Sequence, residues 1–141
     1  MRGIKFWSVF SVVTLALVFT AQAKTRSNEE LRSDFQAALS LASETELLIG
    51  QIEKGRLLAQ FQAGHADYLR DVATRHASKL RESFQDSGDR QIVATCAEQL
   101  ESLAHELALL STMSGNDESL PKTRERVEAI KSSIIAARAE L

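Results

Sequence analysis

The sequence is poor in turn-forming residues. Six glycines and one proline make up seven of its 141 residues, about 5%, whereas an average globular protein carries roughly 12%. A β-sandwich needs turn residues between its many short strands, and a proline-rich spacer needs repeated proline. Both classes are therefore excluded.

Cysteine is equally scarce, since Cys96 is the single one in the sequence. One cysteine cannot form a disulfide within the chain, and the Cys-x-x-Cys-His motif of covalent haem attachment needs two. Cys96 falls on an apolar helical face, which favours a buried thiol that acts as a small hydrophobic group. An intermolecular disulfide or a reactive thiol is the alternative.

The sequence is rich in residues that form helices. The sequence contains 19 alanines and 18 leucines, and only 6% of its residues are aromatic. Alanine and unbranched side chains lose little conformational entropy in a helix. The composition predicts an all-α fold.

The N-terminus has the three parts of a secretory signal peptide. The basic residues Arg2 and Lys5 precede an uncharged apolar run, and Ala21-Gln22-Ala23 supplies small residues at the cleavage positions. The apolar run spans 14 residues, Phe6 to Phe19, fewer than the roughly 20 that cross a bilayer as a helix. We therefore expect cleavage rather than the alternative, an uncleaved signal anchor.

Cleavage would remove residues 1–23 and leave one helical domain, residues 24–141, in the periplasm or outside the cell. The remaining 15 basic and 19 acidic side chains give a net charge of −4. These charges are interspersed, without the basic stripe that neutralises phosphates, so no nucleic-acid partner is expected. No membrane anchor is expected after cleavage.

The first helical segment is predicted over residues 27–54. Ser27 and Glu30 form a capping-box pattern at its start, and Gly55 follows as a left-handed C-terminal cap. Apolar or small residues then recur at alternating steps of four and three, which predicts a buried stripe. These residues are Leu31, Phe35, Ala38, Ala42, Thr45, Ile49 and Ile52.

The second segment is predicted over residues 57–86, with Gly64 interrupting it. Its proposed apolar side consists of Leu58, Phe61, His65, Tyr68, Leu69, Val72, His76, Leu80 and Phe84. The alternative is one helix over 27–86, about 90 Å long at 1.5 Å per residue. We favour a hairpin with its turn near Gly55.

Two further segments are predicted, over residues 89–113 and 119–140. The cluster Asp86-Ser87-Gly88-Asp89 marks the turn before the third, and Pro121 lies in the first turn of the fourth, where a helix tolerates proline. The third stripe is Val93, Cys96, Leu100, Leu103, Leu107 and Leu110. The fourth is Leu120, Val127, Ile130, Ile134, Ala137 and Leu141. Four segments with short connections predict an antiparallel up-down four-helix bundle.

The histidines are the candidate cofactor ligands, because helical bundles often hold haem or metals in their cores. His65 and His76 are 11 residues apart, on nearly the same side of a helix but about 16 Å apart along its axis. A di-iron Glu-x-x-His pattern is absent, since Glu101 precedes His105 by four residues. Non-covalent haem needs one or two axial ligands, so His65, His76 and His105 remain candidates.

Catalytic motifs are missing. The sequence contains no Gly-x-Ser-x-Gly elbow and no glycine-rich phosphate loop. Its acidic pairs fall on expected solvent faces or at helix starts, where negative charge interacts favourably with the helix dipole. No enzymatic activity and no cofactor are therefore expected.

Surplus leucines are the remaining functional signal. Leu41, Leu47 and Leu48 widen the first stripe and Leu109 widens the third. They complete the core of a bundle or, if left uncovered, mark a surface for a partner helix, a second copy or a membrane interface. The sequence predicts an exported helical bundle that acts without catalysis through protein contacts, in a structural, adaptor or chaperone-like role. The alternative is a haem or metal carrier that uses core histidines.

Overall fold

The computed structural model describes residues 8–83 and 88–141. It contains four helices, α1 (Ser8–Glu53), α2 (Ala59–Ser83), α3 (Arg90–Leu110) and α4 (Leu120–Ala139). Across the two described ranges no strand occurs, and the four helices pack against each other. The predicted all-α helical bundle is confirmed at this level.

The chain divides into two compact units, residues 1–33 and residues 34–141. The first unit, from residue 8 onward, is the N-terminal part of α1. The second contains the rest of α1 and the other three helices. It also contains most of the buried apolar side chains.

The helix α1 begins much earlier than predicted. It begins at Ser8, so Ser27 lies inside it and the predicted capping box at Ser27 is wrong. Glycine and proline are both absent between Gly3 and Gly50, and without a helix breaker the helical conformation continues through the apolar run. Arg2 and Lys5 of the predicted signal peptide lie outside the described residues.

The predicted break at Gly55 is confirmed, since α1 ends at Glu53 and α2 begins at Ala59. Gly55 has φ +61°, the left-handed conformation that glycine adopts without steric cost. Its N–H donates to the carbonyl of Ile52 at 2.9 Å, and the N–H of Arg56 donates to Gln51 at 3.2 Å. These two bonds form the Schellman arrangement that ends a helix and satisfies its last carbonyls.

The remaining helices start and end within a few residues of the predicted bounds, apart from positions 84–87, which are not described. Asp89 and Ser119 occupy the N-cap positions of α3 and α4, but neither side chain bonds to its helix. The Ser119 hydroxyl donates instead to Asp117 Oδ1 at 2.6 Å. Pro121 lies in the first turn of α4, as predicted.

The predicted stripes of α1, α3 and α4 are largely correct. All six stripe residues of α3 are buried, and so are all those of α4 except Leu141, which is half-buried. Leu41 and Leu48 of α1 also belong to the core. Leu47, in contrast, is 68% exposed and Leu109 is 37% exposed, so the surplus leucines are divided between core and surface.

The predicted apolar side of α2 is wrong in most of its positions. Leu58, Phe61 and Tyr68 are exposed, whereas Leu69 and Leu80 are buried; Phe84 lies outside the described residues. The buried face consists of Gln62, Ala66, Leu69, Ala73, Ala77 and Leu80. Alanines, rather than aromatic residues, therefore supply half of the core positions of this helix.

Candidate functional site

An exposed row of apolar and aromatic side chains runs along α2. We call it the α2 stripe, and it consists of Leu58, which immediately precedes the helix, and Phe61, His65, Tyr68 and Val72 within it. Leu58 is 81% exposed, Phe61 59% and Tyr68 61%, while His65 and Val72 are half-buried. Successive members are three or four residues apart, so they share one side of the helix.

Two members of the α2 stripe are stacked on each other. The rings of Phe61 and His65 lie with centroids 5.8 Å apart and planes 14° apart. The pair is four residues apart, the spacing at which side chains of adjacent helical turns meet. Stacking restricts the rotamers of both rings, which lowers the entropy lost when a partner covers them.

The buried face of α2, which lies beside the stripe, fixes the direction in which the stripe points. Gln62 is buried, and its Nε2 donates to the carbonyl of Leu110 at 2.7 Å and to that of Met113 at 2.6 Å. These bonds attach the first turn of α2 to the C-terminal end of α3. Ala66 and Ala73 continue the same buried face, so rotating α2 to bury the stripe would break this packing.

Ion pairs hold most of the basic side chains of α2. Arg81 makes two hydrogen bonds with Glu101, at 2.8 Å and 2.9 Å, and its guanidinium lowers the pKa of that carboxyl from its ordinary value. Lys79 donates to Asp34 at 2.9 Å. Arg70 contacts Asp67 at 3.1 Å and Asp71 at 3.5 Å.

The structure does not bring the three candidate histidines together. His65 belongs to the α2 stripe, His76 lies half-buried further along α2, and His105 is exposed on α3. None lies in the core, contrary to the core positions that the carrier hypothesis assumed. Within residues 8–83 and 88–141, no group of three His, Cys, Asp or Glu side chains could hold a metal ion.

His105 lines an open groove between α3 and α4 of about 810 Å³, together with Glu101, Glu106 and Arg126. Glu106 is buried and accepts two bonds from Arg126, at 2.7 Å and 2.9 Å. Hydrogen bonding to Glu106 raises the pKa of Arg126 from its ordinary value. Glu101 is held by Arg81. Because the bond from Arg81 lowers the pKa of Glu101, this carboxyl is a poor proton donor.

Cys96 is fully buried in the core. Burial raises the pKa of its thiol to about 12, and the negative charge of Asp34 adds to the effect. A nucleophilic cysteine needs a thiolate and access to its substrate. The side chain meets neither condition, which favours the prediction of a small hydrophobic group over a reactive thiol.

The three-four spacing of its residues marks the α2 stripe in the sequence, but this spacing does not distinguish an exposed face from a buried one. The alanine face of the same helix has the same period but little hydrophobicity per residue. Among the helices in the described part of the chain, none is long and apolar enough to cross a membrane.

No protein-family model, no curated protein and no solved structure matches the chain. Inference about its function therefore rests on its own residues.

Proposed function

We propose that the chain is an exported helical-bundle protein that acts without catalysis, by contacting protein through the α2 stripe. The observation that carries this proposal is the exposure of Phe61 and Tyr68 on one side of α2, together with that of Leu58 immediately before the helix. Contiguous exposed apolar side chains mark interaction sites when they exceed the scattered ones of an ordinary surface. A structural, adaptor or chaperone-like role fits such a surface.

The residue types of the stripe suit a protein partner. Aromatic side chains are enriched in the buried centres of interfaces, and tyrosine is among the residues that dominate binding energy there. Tyr68 combines a large apolar ring with a hydroxyl that can remain hydrated at the interface rim. A helical face of this kind binds in an apolar groove or against another helix.

Export and an antiparallel up-down arrangement belong to the same proposal. The basic start, the apolar run and Ala21-Gln22-Ala23 support a cleaved signal over residues 1–23. The order of the ion pairs supports the arrangement, because Glu46 and Glu53 of α1 pair with Lys131 and Arg124 of α4, respectively. Short connections between helices favour it as well.

The export part is tested by expressing the full sequence in a bacterial host and measuring the mass of the product in each cell fraction. We expect a chain that begins at Lys24 and is found outside the cytoplasm. Ala23→Leu is expected to block processing, because the cleavage site needs a small residue. An unprocessed chain that stays in the cytoplasm would contradict export.

The contact part is tested with a photo-crosslinking amino acid placed at Tyr68 in living cells, with Ser132 on α4 as the matched control. Both positions are exposed. We expect crosslinked protein at position 68 that disappears when Phe61→Asp is added, and little at position 132. Equal labelling at both positions, or none at 68, would refute the proposal.

A further inference from the structure

We propose that the protein contacted by the α2 stripe is a second copy of this chain. In this dimer the two α2 helices pack antiparallel, about a two-fold axis that passes between positions 66 and 67. The inference rests on the proposed function, since it names the partner of the same surface. It depends on four observations: the spacing of the stripe, its area, an unexplained glycine and the charges beside it.

The spacing of the stripe matches its own reverse. Its residues follow one another at steps of three, four, three and four, and Arg75 adds a further step of three. Under a two-fold axis between 66 and 67, Phe61 opposes Val72 and His65 opposes Tyr68, while Leu58 at the end of the stripe opposes Arg75. These are the alternating layers through which antiparallel helices interdigitate.

The exposed area matches what a small dimer needs. A fully exposed aromatic side chain presents about 200 Å², and 59% of Phe61 and 61% of Tyr68 are exposed. With Leu58 and the half-buried members, the stripe offers on the order of 500 Å² per copy, or about 1,000 Å² for two copies. This is the lower limit for a specific interface, so the dimer should form and dissociate with concentration.

Packing among the residues that the structure describes does not require a glycine at position 64. It lies inside α2 and is exposed, and a Cβ atom there would meet nothing within 4 Å. Glycine destabilises a helix interior by about 0.5–1 kcal/mol relative to alanine, and nothing in the surrounding structure requires it. Next to His65 in the stripe, it permits close approach of a partner helix.

The charges beside the stripe favour a second copy over an anionic membrane surface. Membrane-bound helices use free lysine and arginine side chains beside their apolar face. Three of the four basic side chains of α2, Arg70, Lys79 and Arg81, are held in ion pairs. The fourth, Arg75, continues the spacing of the stripe, so one basic side chain of this helix lies at the stripe. In the proposed register Asp71 opposes position 62 of the other copy, a glutamine, so the two Asp71 side chains do not meet.

The primary experiment measures the mass of the exported chain by sedimentation equilibrium over a wide range of concentration. We expect a reversible monomer–dimer equilibrium. Phe61→Asp and Tyr68→Asp should each raise the dissociation constant by about tenfold or more. Leu47→Asp is the matched control, because Leu47 is 68% exposed on α1, and it should leave the constant unchanged. Thermal melts of each variant monitor folding.

Gly64→Gln and Gly50→Gln make a second matched pair. Both glycines lie inside helices with open space where a Cβ would stand, so neither change strains the monomer. Only Gly64→Gln is expected to weaken the dimer. An equal effect of both variants would overturn the role assigned to Gly64.

The register is tested in a Cys96→Ala background by mixing His65→Cys protein with Tyr68→Cys protein under mild oxidation. We expect the mixed disulfide between the two variants to exceed either homodimeric one, because opposed side chains meet the distance limits of a disulfide. Predominant 65–65 and 68–68 linkages would indicate parallel helices and would overturn the proposed arrangement.

The outcomes separate the two proposals. A monomer at every concentration, together with position-68 crosslinks to a different protein, would overturn the dimer and leave the proposed function standing. Binding to anionic lipid vesicles that Phe61→Asp abolishes, without dimerisation, would overturn the dimer in favour of a membrane surface. A monomer without crosslinks at position 68 would refute both.

Discussion

Gly115 and Ile52 approach each other so closely that no other residue type fits at position 115. A Cβ atom there would lie 2.6 Å from the Ile52 carbonyl oxygen and 3.4 Å from that of Glu53. Both obstacles are backbone atoms, which cannot rotate away. We therefore expect Gly115→Ala to lower the free energy of unfolding by about 1–3 kcal/mol, as overpacking does in other cores, measured by urea denaturation.

Gly50→Ala is the control for this prediction. Gly50 lies within α1, and a Cβ there would meet nothing within 4 Å. Alanine should raise the free energy of unfolding by about 0.5–1 kcal/mol, because it is the better helix former. Equal stability of Gly115→Ala and the unmodified chain would contradict the close contact between the α3–α4 connection and the end of α1.

Gly55 gives a second prediction, based on its backbone conformation rather than on space. Its φ is +61° and its surroundings are open, so strain alone decides the effect of a side chain. Gly55→Ala should lower the free energy of unfolding by about 1–2 kcal/mol, and Gly55→Asn by less, because asparagine tolerates this conformation. Equal effects of the two variants in the same urea titrations would contradict this explanation.

The helical breaks and three of the four buried faces could be predicted from the sequence. The break at Gly55 could be predicted because the C-terminal cap of a helix needs a residue that adopts the left-handed conformation. The burial of Val93 and Leu100 could be predicted because both belong to one apolar helical stripe. The true start of α1 could not be predicted, because Ser27 and Glu30 form a plausible cap that a continuous run of helix-forming residues overrides.

The orientation of α2 could not be predicted from this helix alone. Phe61 and Tyr68 carry more apolar surface than Ala66 and Ala73, so hydrophobicity points to the aromatic face. The bundle buries the alanines instead, and Gln62 finds two backbone carbonyls of the α3 end and the connection that follows it. Which face of α2 is buried depends on the shape of the neighbouring helices. The pattern of apolar residues in α2 alone carries no information about that shape.

The buried face of α2 can be tested by adding volume to it. Ala73 has no exposed surface, so Ala73→Leu should lower the free energy of unfolding by about 1–3 kcal/mol through overpacking. Thr74→Leu introduces the same side chain one position away, where the residue is exposed, and should change stability by less than about 0.5 kcal/mol. Equal losses in urea denaturation would mean that the alanine face is not the packed one.

Asp34 and Lys79 form the most buried acidic contact of the core. The carboxylate of Asp34 is 5% exposed, whereas the Lys79 side chain is 56% exposed, and Nζ and Oδ1 are 2.9 Å apart. The second oxygen, Oδ2, is buried without a hydrogen-bond partner. Removing the lysine would therefore leave a buried charge that the structure compensates poorly.

We expect Lys79→Met to lower the free energy of unfolding by about 1–3 kcal/mol, less than for a fully buried pair because water already screens the ammonium group. The double variant Lys79→Met with Asp34→Leu should recover most of the loss, since no charge remains to be buried. Arg81→Met breaks an exposed pair and should have a much smaller effect. A double variant less stable than Lys79→Met would show that the pair stabilises the fold.

The buried thiol of Cys96 should make the stability of the protein depend on pH in the alkaline range. Burial, with a contribution from the charge of Asp34, raises the pKa of the folded thiol from 9.0 to about 12. Between these values the unfolded chain has lost the thiol proton and the folded chain retains it, so unfolding releases a proton. Between these two pKa values the free energy of unfolding should therefore fall by about 1.4 kcal/mol per pH unit. At lower pH, Cys96 should not make the stability depend on pH.

The comparison of the unmodified chain with Cys96→Ala isolates this effect. Lysine and tyrosine side chains titrate in both proteins and cancel in the difference, whereas the alanine variant lacks the thiol. We expect the stability difference between the two proteins to be constant near neutral pH and to shift in favour of Cys96→Ala as the pH rises above about 9. Alkylation at pH 8 should be slow until urea unfolds the chain. Rapid alkylation of the folded protein, or a difference that does not change with pH, would mean that the thiol is accessible and ionises at its ordinary value.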